Sequence, residues 1–100
     1  MNTLPTPKMS EILKEEFLNP LGISGYRLAQ AIGVPYSRMQ AILNDQRKVT
    51  ADTSIRLGRY LSVSDDYFLK LQTDIDVRNA ELENRDNYND ITSHQQQSVN

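Results

Sequence analysis

The sequence predicts an all-α domain of five short helices. Three observations predict it. Apolar residues recur at spacings of three and four through the first 84 residues, the period of one helical face. Glycine and proline cut that pattern into short lengths. No convincing run alternates apolar and polar residues as a half-buried strand does.

Each element has its own reason. Residues 1–8 hold two prolines and read as an extended lead-in. Ser10 is placed to cap a first helix, with Ile12, Leu13 and Phe17 on one face. Asn19-Pro20 is expected to stop that helix, because proline cannot donate the helical hydrogen bond. Ser24 caps a second helix, whose Leu28, Ala29 and Ile32 face the core. Gly33 ends it in the left-handed conformation, Val34 plugs the turn, and Pro35 enters the third helix with its backbone angle pre-set. The third helix covers residues 36–44 and turns Met39, Ile42 and Leu43 inward. Thr50 caps a fourth helix with a buried stripe of Ser54, Leu57, Gly58 and Leu61. Ser64, Asp65 and Asp66 read as the start of a fifth, since acidic groups suit the positive end of a helix dipole. Tyr67, Phe68, Leu71 and Ile75 make its apolar face, and residues 74–84 either continue it or break away. The domain is expected to span residues 9–84. Residues 85–100 are rich in Asn, Gln and Ser and are expected to be a disordered tail.

The stretch from Arg27 to Leu43 carries the functional signal. Two short helices joined by a tight glycine turn are the helix-turn-helix pattern. In that pattern the second helix enters the major groove of DNA, and its N-terminal residues meet base edges. Tyr36, Ser37, Arg38 and Gln40 are left on the outer side. Arg38 can donate two hydrogen bonds to guanine, and Gln40 can pair with adenine. Ser24 and the amides at helix starts suit phosphate. Arg47 and Lys48 follow the third helix, where a phosphate strand should pass.

Net charge is −2, which argues against a nucleic-acid binder until it is divided along the chain. Residues 24–60 hold six basic side chains against two acidic ones, a surplus of +4. The remainder holds five basic against eleven acidic, or −6. One part can meet an anionic polymer while the flanks meet a basic partner.

Composition also excludes. There is no cysteine, so neither a disulfide framework nor a thiolate metal site is expected. The one histidine, His94, lies in the polar tail. With no nucleophile–histidine pair, no ligand cluster and no glycine-rich phosphate loop, no enzyme, metal or cofactor is expected. No apolar run is long enough to span a membrane, and the N-terminus has no secretion signal, so a cytoplasmic location is expected.

The stretch LGISGYRLAQAIGVPYSRMQAILNDQRKVTADTSIRLGRYL resembles the helix-turn-helix domain of the Xre (phage-repressor-like) family. Three blocks in order, MSEILKEEFLNPLGIS, VTADTSIRLGRYL and SDDYFLKLQTDIDV, narrow the resemblance to the HigA group of toxin–antitoxin antitoxins. It covers about residues 7–80. The resemblance implies a compact five-helix, lambda-repressor-like domain acting as a homodimer. It implies neutralisation of a small basic ribonuclease toxin of the HigB type, and repression of the shared operon through palindromic operator DNA. Base reading would fall on Tyr36, Ser37, Arg38 and Gln40, and phosphate contacts near Ser24, Asn44 and Arg47. Gly25 departs from the pattern, because many Xre domains carry glutamine directly after the cap of the second helix.

Two surfaces remain open at this stage. Tyr67, Phe68, Leu71 and Ile75 form either a dimer seam or the seal of the monomer core. Glu11, Glu15 and Glu16 on the first helix would attract a basic toxin, or simply keep the protein soluble. The competing functions are a free-standing Xre-type regulator without a toxin, and a protein-binding module that has lost DNA.

Overall fold

The computed structural model describes residues 6–97, with side chains through Gln95. The expected calls on residues 1–5 and 98–100 lie outside the described residues. All regular elements among the described residues are helical.

Helix α1 covers residues 9–21 in three joined parts: Met9–Leu13, a widened π turn at Lys14–Leu18, and Asn19–Leu21. Both of its expected ends differ. Lys8, not Ser10, precedes the helix, and its N–H donates to the Glu11 carboxylate at 3.1 Å. Ser10 is buried one residue inside. Its N–H and hydroxyl donate to the two carboxylate oxygens of Asp45, at 3.2 and 2.6 Å. So a side chain 35 residues away satisfies a first-turn donor that a local cap would otherwise serve. At the other end Pro20 lies within the helix rather than stopping it. A proline inside a regular helix lacks a donor and crowds the carbonyl one turn back. Here the preceding turn is already widened, with the Asn19 N–H reaching back to the Lys14 carbonyl, and that change in ladder absorbs the irregularity. The helix ends one residue later, at Gly22 with φ 66°.

Helices α2 (Gly25–Ile32) and α3 (Tyr36–Leu43) follow as expected. Helix α4 (Ala51–Leu61) is capped by Thr50, whose hydroxyl accepts from the Thr53 N–H at 3.5 Å. Helix α5 (Tyr67–Glu83) begins three residues later than Ser64 and runs unbroken, so residues 74–83 continue it. No glycine or proline lies within it to interrupt the ladder. Asp65 and Asp66 sit in the preceding turn instead. Asp65 is bound by the Arg59 guanidinium through two 3.0 Å hydrogen bonds, which hold its carboxyl below the ordinary value of 3.8. Hydrogen bonds from Lys70 and Ser64 lower Asp66 likewise. Beyond α5, the tail forms two short helices, α6 (Arg85–Asn89) and α7 (His94–Gln97). Residues 85–95 are all exposed, so the tail adds nothing to the core.

The core gathers one stripe from each of α1–α5. Leu13, Leu28, Met39, Leu57 and Phe68 are wholly buried, with Ile42 at 1% exposed. Phe17 meets Phe68 and Tyr67 edge-on, at centroid distances of 5.2 and 6.3 Å. Two buried polar side chains brace the loops. The Ser54 hydroxyl donates to the Asp65 carbonyl at 2.7 Å and accepts from the Leu69 N–H at 3.0 Å. Gln72 accepts from the Val49 N–H and donates to Asp76, both at 3.1 Å. Each side chain thus serves two partners, as a buried polar group must.

Gly58 marks the closest approach of α4 to the turn before α5. A Cβ there would stand 2.5 Å from the Ser64 carbonyl oxygen and 3.1 Å from that of Val63. Gly58→Ala gains about 1 kcal/mol in helix propensity. Overpacking against backbone costs about 1–3 kcal/mol, so net destabilisation of up to about 2 kcal/mol is expected. Urea unfolding of both proteins checks this; an equal or higher midpoint for the variant contradicts it.

Candidate nucleic-acid interface

The turn between α2 and α3 is built by the backbone of Gly33 and Val34. Gly33 has φ 73°, a left-handed conformation that costs residues with a Cβ. The Val34 N–H then reaches the Ala29 carbonyl at 3.1 Å and the Gly33 N–H the Gln30 carbonyl at 3.3 Å. These paired bonds close the end of α2 as a Schellman turn. Val34 is buried beneath it. Pro35 (φ −60°, ψ 143°) then directs α3 away from α2.

The result presents the start of α3 outward. Met39 and Ile42 face the core, and Leu43 is half-buried. Tyr36, Ser37 and Gln40 are exposed, and Arg38 is half-buried. The four expected base-reading residues therefore share the first turn and a half of one helix. Tyr36 meets Tyr26 of α2 edge-on at 5.4 Å, and the Tyr26 hydroxyl accepts from the Gln30 amide at 3.2 Å. Tyr26, passed over in the sequence, thus belongs to the same face. Its ten-residue spacing from Tyr36 gains meaning only once the turn is known. A Cβ on Gly25 would lie 2.6 Å from Leu43 Cδ1, the end of a flexible side chain, so the first turn of α2 packs closely on α3.

The expected phosphate-binding residues do not all stand alike. Ser24 caps α2, its oxygen accepting from the Arg27 N–H at 3.1 Å, and its own hydroxyl proton stays available to an anion. Asn44 and Arg47 are exposed. Lys48 is exposed too, but its ammonium is paired with Asp76 of α5 at 3.2 Å. A phosphate must compete with that carboxylate. Among the six basic side chains of residues 24–60, Arg38, Lys48, Arg56 and Arg59 are in ion pairs. The positive surplus is thus partly neutralised on the surface that carries it.

The other expected surfaces separate. Phe68 is wholly buried, which assigns it to the core and removes it as a seam residue. Tyr67, Leu71 and Ile75 are half-buried against that core. The amphipathic pattern could not divide these cases, because core and seam ask for the same apolar side chains. Val77 and Leu82, farther along α5, are the exposed apolar groups of that helix. Glu11, Glu15 and Glu16 are all exposed on α1, and the Glu11 carboxylate is occupied by the Lys8 N–H. No cluster of three or more potential metal ligands occurs among the described residues. No helix there is long and apolar enough to cross a membrane.

No family model matches the chain. It is 42% identical over 80 residues to virulence-associated protein I of Dichelobacter nodosus, spanning 80% of this chain and 74% of that protein. Its fold is similar to that of the Pseudomonas aeruginosa antitoxin HigA solved with the higBA promoter. That likeness has a TM-score of 0.81 and 32% identity, over 89% of this chain and 98% of the other. The fold is also similar to antitoxin GraA in complex with its operator, with a TM-score of 0.81 and 33% identity over 93% and 95% of the two chains. Both of those relatives are antitoxins held on promoter or operator DNA.

Proposed function

The chain belongs to the HigA-type antitoxins of the Xre (phage-repressor-like) helix-turn-helix family, and from that premise we propose that it represses its own operon as an operator-bound homodimer and neutralises a small basic, mRNA-cleaving ribonuclease. The observation that carries the DNA half is the polar start of α3, projected by the Gly33 turn beside Ser24. Relatives of the same fold are held on promoter or operator DNA. Tyr36, Ser37, Arg38 and Gln40 would read base edges, while Ser24, Asn44 and Arg47 hold phosphate, and Lys48 joins them when released from Asp76.

Palindromic DNA asks for a two-fold protein. A second copy of this chain meeting it along α5, through the exposed parts of Tyr67, Leu71 and Ile75 with Val77 and Leu82, supplies that symmetry. The acidic flank suits a basic toxin, with Glu15 and Glu16 free of the capping role that occupies Glu11. Both partners act in the cytoplasm.

The test is footprinting of the purified protein on its own upstream promoter duplex against a scrambled duplex, at two salt concentrations. Protection of two related half-sites about one helical turn, roughly 34 Å, apart is expected. No preference over scrambled DNA sinks the autorepressor reading. A neighbouring reading frame for a small basic protein separates the antitoxin from a free-standing regulator.

A further inference from the structure

Arg38 projects from α3, yet only 27% of its side chain is exposed. Its Nη1 donates to Asp52 Oδ2 on α4 at 3.3 Å. Asp52 is also bound by Arg56, whose Nε lies 3.2 and 3.1 Å from the two carboxylate oxygens. Arg56 is fixed at its far end too, where Nη1 donates to the Ile32 carbonyl at the close of α2, at 2.9 Å. A Cβ on Gly33 would stand 3.3 Å from that same nitrogen, so the turn glycine leaves room for the guanidinium. One line of contacts therefore runs from the end of α2, through Arg56 and Asp52, to the guanidinium of Arg38.

Two consequences follow from the chemistry. An arginine held by a carboxylate through one N–H still has four N–H groups, enough for both acceptors on the major-groove edge of guanine. Its orientation is set before DNA arrives, so less freedom is lost on binding. The carboxylate itself stands 60% exposed beside the Arg38 guanidinium. It repels any backbone that approaches without a matching base for Arg38. Sequence-independent affinity is almost wholly electrostatic, so that repulsion falls mainly on non-specific binding. Exposed ion pairs contribute little to stability, so the network's effect on the fold is small beside its effect on aim.

Resting on the operator reading above, we propose that Asp52 is a specificity-determining positioning residue: it aims Arg38 at a guanine and weakens binding to unrelated DNA. The test compares the wild type with Asp52→Ala, Asp52→Asn, Arg38→Ala and the Arg38→Ala/Asp52→Ala pair. Affinities are measured for the promoter and scrambled duplexes at two salt concentrations, and melting temperatures are recorded alongside. Asp52→Ala is expected to tighten scrambled-DNA binding and steepen its salt dependence. The promoter-to-scrambled ratio is expected to fall roughly tenfold. Asp52→Asn keeps the shape but not the charge, and shifts the ratio the same way by less. In the Arg38→Ala background, removing Asp52 lowers the ratio no further. An unchanged ratio in Asp52→Ala, with wild-type preference intact, overturns the proposal alone. So does an equal fall with and without Arg38, or a uniform loss on both duplexes that tracks melting temperature. Should Asp52→Ala not fold, Asp52→Asn decides by the same ratios. A wild type without promoter preference overturns the operator reading, and this proposal with it.

Discussion

Phe68→Ala is expected to cost about 3–5 kcal/mol of unfolding free energy, the range for removing a fully buried aromatic ring. Phe68 is wholly buried. Its ring packs edge-on against Phe17 at 5.2 Å and Tyr67 at 5.1 Å. Domains of this size are stable by only about 5–15 kcal/mol, so the loss takes a large share of the total. Urea unfolding followed by circular dichroism at two protein concentrations measures it. A core role predicts a loss that persists at every concentration. A ring serving only an intersubunit seam predicts a folded monomer, with the defect confined to assembly. A loss below about 1 kcal/mol would contradict the core assignment.

The second large effect is on DNA. Arg38→Ala is expected to weaken binding to the specific site by about 1–3 kcal/mol and to relax discrimination at one base pair. Arg47 is exposed in the loop after α3, and Arg47→Ala should behave differently. It should weaken specific and random duplexes alike and flatten the salt slope by about one. The comparison needs both variants on both duplexes over a salt series. If each loses the same affinity on specific and random DNA, Arg38 is not a base reader.

What was legible in the sequence follows the range of the interaction. Ser24 and Thr50 cap helices through bonds to backbone three residues on, so their role is written locally. The Gly33-Val34-Pro35 turn is equally local, and all three residues sit as expected. Ser10 was misplaced for the opposite reason. It has the chemistry of a cap, but Asp45 occupies it from the far side of the domain. Pro20 reads as a stop unless the preceding turn is known to widen. In the same way Gln72 looks like an ordinary surface amide until the Val49 N–H is brought to it. Asp52 and Arg56 are visible as a pair four apart on one helix. Their engagement of Arg38 and the Ile32 carbonyl depends on three helices meeting. The charge split along the chain singles out residues 24–60, but it cannot tell which cations there are already paired.

The Ser10–Asp45 contact bears on which parts of the chain open together. The first turn of α1 is closed by a carboxylate 35 residues away. Asp45 in turn holds a backbone conformation with φ 58°, unusual for a residue with a side chain. The first turn of α1 and the loop after α3 therefore hold each other, and these two segments should come loose together when the native state first opens.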